Sequence, residues 1–202
     1  MSKKKKKAAS TSNSKESTMT SAQQRKKDMI EMLIYIVVVF ALVFLITRYV
    51  GQRTVVHGVS MDTTLADGQS LIMDKISYRF KDPERFDIVI FPGPEDESGN
   101  SEYYIKRIIG LPGETVDFKN DRVMINGKEL TTDVYSITGY TEDYGDMDYP
   151  LTLEEGEYFC MGDNRPQSFD CRYSEVGTVH KDEFIGKVWI RIWPLSKFGK
   201  VD

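Results

Sequence analysis

The sequence predicts a mostly β fold, a β-rich domain of residues 49–202 behind one N-terminal transmembrane helix, and three observations carry that prediction. Residues 29–47 read MIEMLIYIVVVFALVFLIT, with Glu31 as their single charge. Downstream, short runs of β-branched and aromatic residues are separated by turn-formers, the pattern of strands. Beyond the apolar run, no helical periodicity extends past a few turns.

The chain of 202 residues has room for one ordinary domain plus appendages. Its net charge of −4 conceals an asymmetry: residues 1–28 carry +7 and the remainder −11. The tail is rich in Lys, Ser and Thr and nearly free of large apolar residues, so it is expected to be a disordered cytoplasmic segment. A basic tail on an acidic body argues against a nucleic-acid partner, which would call for positive charge on the folded domain.

The apolar run is long enough, at roughly 28 Å, to cross the hydrocarbon of a bilayer. A cleavable leader would be shorter and end in small residues, whereas this run ends in Arg48, Tyr49 and Val50. Residues 29–48 are therefore expected to be a retained anchor in the cell membrane. Positive charge ahead of the span keeps the N-terminus in the cytoplasm and puts residues 49–202 outside.

Strands are expected at TVVHGV (54–59), SLIMDKI (70–76), DIVIFP (87–92), YYIKRII (103–109) and GKVWIRIWPL (186–195). Asn126–Gly127, between RVMI and KELT, signals a hairpin because both residues accept positive φ. Residues 133–156 are acidic and turn-rich, the composition of a surface excursion. Two cysteines, Cys160 and Cys171, are too few for a disulfide framework. His57 and His180 stand far apart without neighbouring ligands, so neither a metal nor a cofactor is indicated.

Three segments concentrate reactive side chains: GVSMDTTL (58–65), YYIKRIIGLPGE (103–114) and MGDNRPQSFDCR (161–172). Each alone has an ordinary explanation: a surface serine, a strand lysine turned to water, a polar turn. Together they match an ordered set of boxes: SMDTTL (60–65), FDIVIFP (86–92), YIKRIIGLPGE (104–114) and GDNRPQSFDCR (162–172). In order and spacing these resemble the type I signal peptidases of the short, single-anchor bacterial kind.

The resemblance implies a signal-peptidase-like β-rich catalytic domain and a serine endopeptidase that removes signal peptides from exported preproteins, cutting after small residues of the Ala-x-Ala type. It makes Ser60 the nucleophile and Lys106 the general base. The chemistry agrees, because a serine hydroxyl needs a base and a lysine serves only as the neutral amine. Burial among Tyr104, Ile105, Ile108 and Ile109 would favour that neutral form. The resemblance further implies that Ser168 orients the lysine and that Asp170 pairs with Arg172 and Arg107. Asp163, Asn164 and Arg165 are expected to build the turn. Met61, Leu65, Tyr104 and Ile105 match positions lining shallow substrate pockets, as does Val56, for which core packing is an equal alternative. An extended substrate could add alongside 103–106. The implied partners are preprotein signal peptides and the lipid bilayer; oligomeric state is open.

Two positions depart from the family pattern. Thr63 stands where proline is usual, which softens the loop after the nucleophile, and Cys171 stands where serine is usual. An outside location permits a Cys160–Cys171 disulfide, though one within a catalytic loop would be unusual. Gly58 has no hydroxyl where some relatives carry one, so a second oxyanion donor must come from elsewhere. The rival readings are a non-catalytic or dedicated relative serving pilus or surface-protein assembly, and a self-cleaving repressor, which the anchor disfavours.

Overall fold

The computed structural model describes residues 21–95 and 97–201. The chain divides between Phe44 and Leu45 into two compact units, each described by itself. Helix α1 covers Ser21–Leu45 and runs on into a π-helical turn, Ile46–Val50. By length and composition, Gln23–Val50 is a helix able to cross a membrane, and its side chains are exposed.

This helix begins earlier than expected, because residues 21–28, assigned to the tail, are helical. Gln23, Gln24, Arg25, Lys26 and Lys27 are good helix formers. Gln24 Nε2 also donates to Asp28 Oδ1 at 3.0 Å, and Lys27 pairs with Glu31 one turn on at 3.7 Å. The rest of the tail, residues 1–20, lies outside the described residues.

The second unit is mostly β. Its strands are β1 (Gly51–Val55), β2 (Ser70–Asp74), β3 (Ile88–Glu95), β4 (Ser101–Gly110), β5 (Thr115–Lys119) and β6 (Arg122–Ile125). They continue with β7 (Lys128–Glu129), β8 (Leu151–Thr152), β9 (Glu157–Met161), β10 (Val179–His180), β11 (Gly186–Trp193) and β12 (Gly199–Lys200). One sheet runs β1-β2-β11-β3-β4-β9-β10, with β12 on β11; the smaller runs β7-β6-β5-β8. All described pairings are antiparallel.

Strand β3 explains how the layers meet. Successive side chains of a strand leave opposite faces. Val89 and Phe91 enter one core with Ile108, Val116, Leu153 and Phe159, while Ile88 and Ile90 enter a second with Met61, Leu65, Leu71 and Val188. A strand covered on both faces needs an unbroken apolar run, which is what DIVIFP supplies. The β6–β7 hairpin forms at Asn126–Gly127, with φ of 51° and 75°, as the turn chemistry requires. Strand β1 ends at Val55 rather than continuing to Val59, and three residues on Gly58 takes φ +84°.

The excursion at 133–156 is a mostly exposed strap, and some of its polar groups serve buried arginines. Asp133 pairs with Arg165 at 2.6 Å, with both side chains nearly inaccessible, and Arg165 also donates to the buried Thr141. The Asp143 carbonyl accepts from Arg172 at 2.7 Å, and the Tyr135 ring lies 3.6 Å from the Arg107 guanidinium carbon. Further along, Leu151–Thr152 forms β8 and Leu153 enters the core. Asp133 complements a buried cation directly, whereas Asp148 and Glu155 stay exposed.

Truncating one partner of a buried pair strands the other charge. Asp133→Ala is expected to destabilise the protein by about 3 kcal/mol in chemical denaturation. Asp148→Ala, an exposed acid on the same strap, should stay within about 0.5 kcal/mol of wild type.

Candidate active site

Ser60 sits in the loop after β1, and the GDNR segment holds its backbone. Asn164 N–H donates to the Ser60 carbonyl at 3.0 Å, and Asn164 Nδ2 donates to the Val59 carbonyl at 3.0 Å. Gly162 makes this approach possible: a Cβ there would lie 2.4 Å from the Ser60 carbonyl oxygen and 2.2 Å from Ser168 Oγ. Leu65 N–H and Gly68 N–H close the loop on the carbonyls of Met61 and Val56. No acceptor among the described residues takes the Ser60 N–H.

Lys106 lies in the buried half of β4 opposite Val89, and its Nζ donates to Ser60 Oγ at 2.8 Å. It is 4% exposed. Desolvation lowers its pKa from 10.5 to about 8, against a smaller opposing pull from the Asp170 carboxylate. The Tyr104 ring, two residues back on the same face, has its centroid 5.1 Å from Nζ.

Arg107 points the other way. Its guanidinium forms a two-pronged ion pair with Asp163, at 2.9 and 2.8 Å, and donates to the Phe86 carbonyl. The expected Asp170–Arg107 pair does not form, because Arg107 leaves the face of β4 opposite to Lys106, the lysine that feels the Asp170 charge. Asp170 instead binds Arg172 through both oxygens, at 2.8 and 3.0 Å, and accepts from Gly162 N–H and from Ser168 Oγ at 2.7 Å. The Ser168 hydroxyl is thus committed to Asp170, and reaches the lysine's neighbourhood through that carboxylate. Asp163 does more than shape a turn: it also accepts from Thr64 Oγ1 at 2.5 Å, tying the serine loop to β4.

A cleft of about 720 Å³ opens over the Ser60–Lys106 pair. Val56, Met61, Tyr104 and Ile105 border it, and Val56 and Met61 are at the same time buried in the second core. Leu65 does not: it is fully buried in the core with Leu71 and Ile88. Gln167 and Phe169 also line the cleft and were not anticipated, since nothing in the local pattern sets them apart from turn residues. Cys160 and Cys171 are free and buried, Cys160 N–H donating to Cys171 Sγ at 3.2 Å, and burial pushes the Cys160 thiol well up.

Residues 29–193 match the family described as signal peptidase, peptidase S26. The chain belongs to this signal peptidase family. Signal peptidase IB of Staphylococcus aureus (strain Mu50) is 31% identical over 184 residues, covering 85% of this chain and 93% of its own length. A crystal structure of a signal peptidase I from Enterococcus faecalis V583 is 39% identical, covering 53% of this chain and 97% of that one, with a TM-score of 0.42. The chain is accordingly a signal peptidase enzyme, and the one helix among the described residues long and apolar enough to span fits a single-pass membrane protein.

Because folding lowers the Lys106 pKa, the unfolded chain binds more protons between about pH 8 and 10.5. Stability from this site therefore rises with pH across that window, and the full penalty applies below it. Lys106→Met should raise unfolding free energy at pH 7 by ~2–3 kcal/mol. That gain should fade by about pH 10.5, as denaturation measured at both pH values would reveal.

Proposed function

We propose that this signal peptidase cleaves preproteins by a Ser60–Lys106 dyad, after small residues of the Ala-x-Ala type. The observation that carries the reading is the 2.8 Å contact between Lys106 Nζ and Ser60 Oγ in the cleft, with the amine desolvated. The neutral amine takes the Ser60 proton as Oγ attacks the scissile carbonyl. The Ser60 N–H faces the developing oxyanion. Gly58 cannot assist, since it lacks a hydroxyl and its N–H is committed to Asp67 at 2.9 Å. The lysine then protonates the departing amine, and its regenerated free base activates the water that hydrolyses the acyl-enzyme.

Substrate selection follows from the walls. Ile105 presents apolar surface beside the serine and Tyr104 adds a half-buried ring, with the buried Met61 behind them, leaving shallow sites for small side chains. Arg172, Asp170 and Ser168 hold the lysine's surroundings, and Arg107 with Asp163 holds the serine loop. The substrates are exported preproteins, whose signal peptides reach the enzyme at the bilayer. In this reading residues 29–48 anchor the chain in the cell membrane, with the basic tail of residues 1–28 in the cytoplasm and the catalytic domain of residues 49–202 outside.

Incubating the purified full-length protein with a preprotein and sequencing the new N-terminus tests the activity. Ser60→Ala and Lys106→Arg should each lower turnover by a factor of about 10³ or more, because a guanidinium cannot give up its proton. Wild-type kcat/KM should rise with pH through about 8 and level off above it. An optimum near pH 5 would exclude the lysine base. The membrane arrangement has its own test: protease added outside intact cells should digest residues 49–202 and spare the lysine tail.

A further inference from the structure

The cleft has two long walls and a third, short one. The long walls are residues 53–59 and 101–105, and each runs into a member of the dyad, Ser60 or Lys106. Five residues of extended chain make a wall of roughly 16 Å, which suits the segment ahead of the scissile bond. Only Gln167 and Phe169 line the cleft from outside these walls and the serine loop.

Both belong to the dyad end. Asn164 Nδ2 donates to the Val59 carbonyl at 3.0 Å and to Gln167 Oε1 at 3.2 Å, so one amide fastens Gln167 beside the peptide that leads into Ser60. With Oε1 engaged there, Gln167 Nε2 has no acceptor among the described residues and remains as a donor. Phe169 follows Ser168 and precedes Asp170, the carboxylate nearest in influence to Lys106. Its ring is 38% exposed yet fixed, packed 4.6 Å from the Tyr173 ring, whose hydroxyl donates to Asp143 at 2.6 Å. A held aromatic face beside a free amide donor is what a short extended peptide needs: an apolar contact for a side chain and a partner for a main-chain carbonyl.

We propose that Gln167 and Phe169 form the subsite for the first residue after the scissile bond, so that the enzyme reads the start of the mature protein as well as the end of the signal peptide. The inference rests on the dyad reading, which places the bond at Ser60. Phe169 supplies the side-chain contact, and Gln167 Nε2 donates to the main chain of the leaving segment. This subsite is empty once that segment departs, so it acts on acylation and not on hydrolysis of the acyl-enzyme.

The test uses the full-length protein and one preprotein whose first mature residue is Gly, Ala, Leu or Phe, with kcat/KM measured for each. Phe169→Ala should lower the Leu-to-Gly preference ratio by about tenfold, the scale of one lost apolar contact. Gln167→Glu, which removes the donor at nearly constant size, should slow the single-turnover acylation rate about tenfold and leave deacylation unchanged. An unchanged Leu-to-Gly ratio would overturn the proposal. So would a ratio that shifts instead when the residues one or three before the bond are varied. Retained activity in Ser60→Ala, run in parallel, would overturn the dyad reading itself and is thereby distinguished from failure of this subsite alone.

Discussion

Lys106 holds its amine 2.8 Å from Ser60 Oγ at a strand position that is 4% exposed, and keeping a lysine there costs stability at neutral pH. In the proposed dyad that cost is intrinsic, since the burial that destabilises the ammonium is what makes a free amine available near pH 8. A strand in the middle of a sheet is a suitable support. Its backbone is fixed on both sides by β3 and β9, so the side chain cannot escape to water by a loop rearrangement. The remainder of the domain has to supply apolar burial against that cost, and its buried apolar groups lie in the two cores that meet at β3.

The same demand for a dry site explains the arginines. Arg107, Arg165 and Arg172 are almost fully buried, and each has an acid or a set of carbonyls that neutralises it. Buried pairs of this kind add little net stability, because desolvation of both ions offsets their attraction. What they contribute is geometry. Arg107–Asp163–Thr64 fixes the serine loop against β4, and Arg172–Asp170–Gly162 fixes the GDNR turn whose Asn164 holds the Ser60 carbonyl. The strap at 133–147 belongs to this arrangement: Tyr135, Asp133 and Asp143 each cap one arginine.

Much of this was legible in the sequence wherever the signal is local. The apolar 29–47 run, the β-branched strands and Asn126–Gly127 announce themselves by composition and spacing, and the boxes bring Ser60 and Lys106 into view. The helical start at Ser21, ahead of the apolar run, is masked in the sequence because charge obscures the helix propensity of Gln23–Lys27. The partner of Arg107 was misassigned for a different reason. Asp163 and Asp170 are seven residues apart in one turn, and only the facing of β4 decides which acid each arginine meets. That Asp133 of the excursion reaches a buried guanidinium is not legible, because an acid looks the same in sequence whether it faces water or Arg165, 32 residues away. Leu65 fits a substrate-pocket pattern and a core pattern equally well, and only packing separates them.

The Asp170–Arg172 pair can be given a more specific role than scaffolding. A lone carboxylate near Lys106 would stabilise its ammonium form and return its pKa towards that of a free lysine. Asp170 does exert that pull, and Arg172 exerts the opposite one on the same amine. Held to Asp170 through both carboxylate oxygens, Arg172 offsets part of the aspartate's pull, and desolvation remains the largest influence on the amine. Asp170 can therefore anchor Ser168 and Gly162 while the Lys106 pKa stays below that of a free lysine. On this view the arginine is required by the aspartate, the aspartate by the turn that grips Ser60, and the turn by the need to set a serine against an amine that water would otherwise protonate.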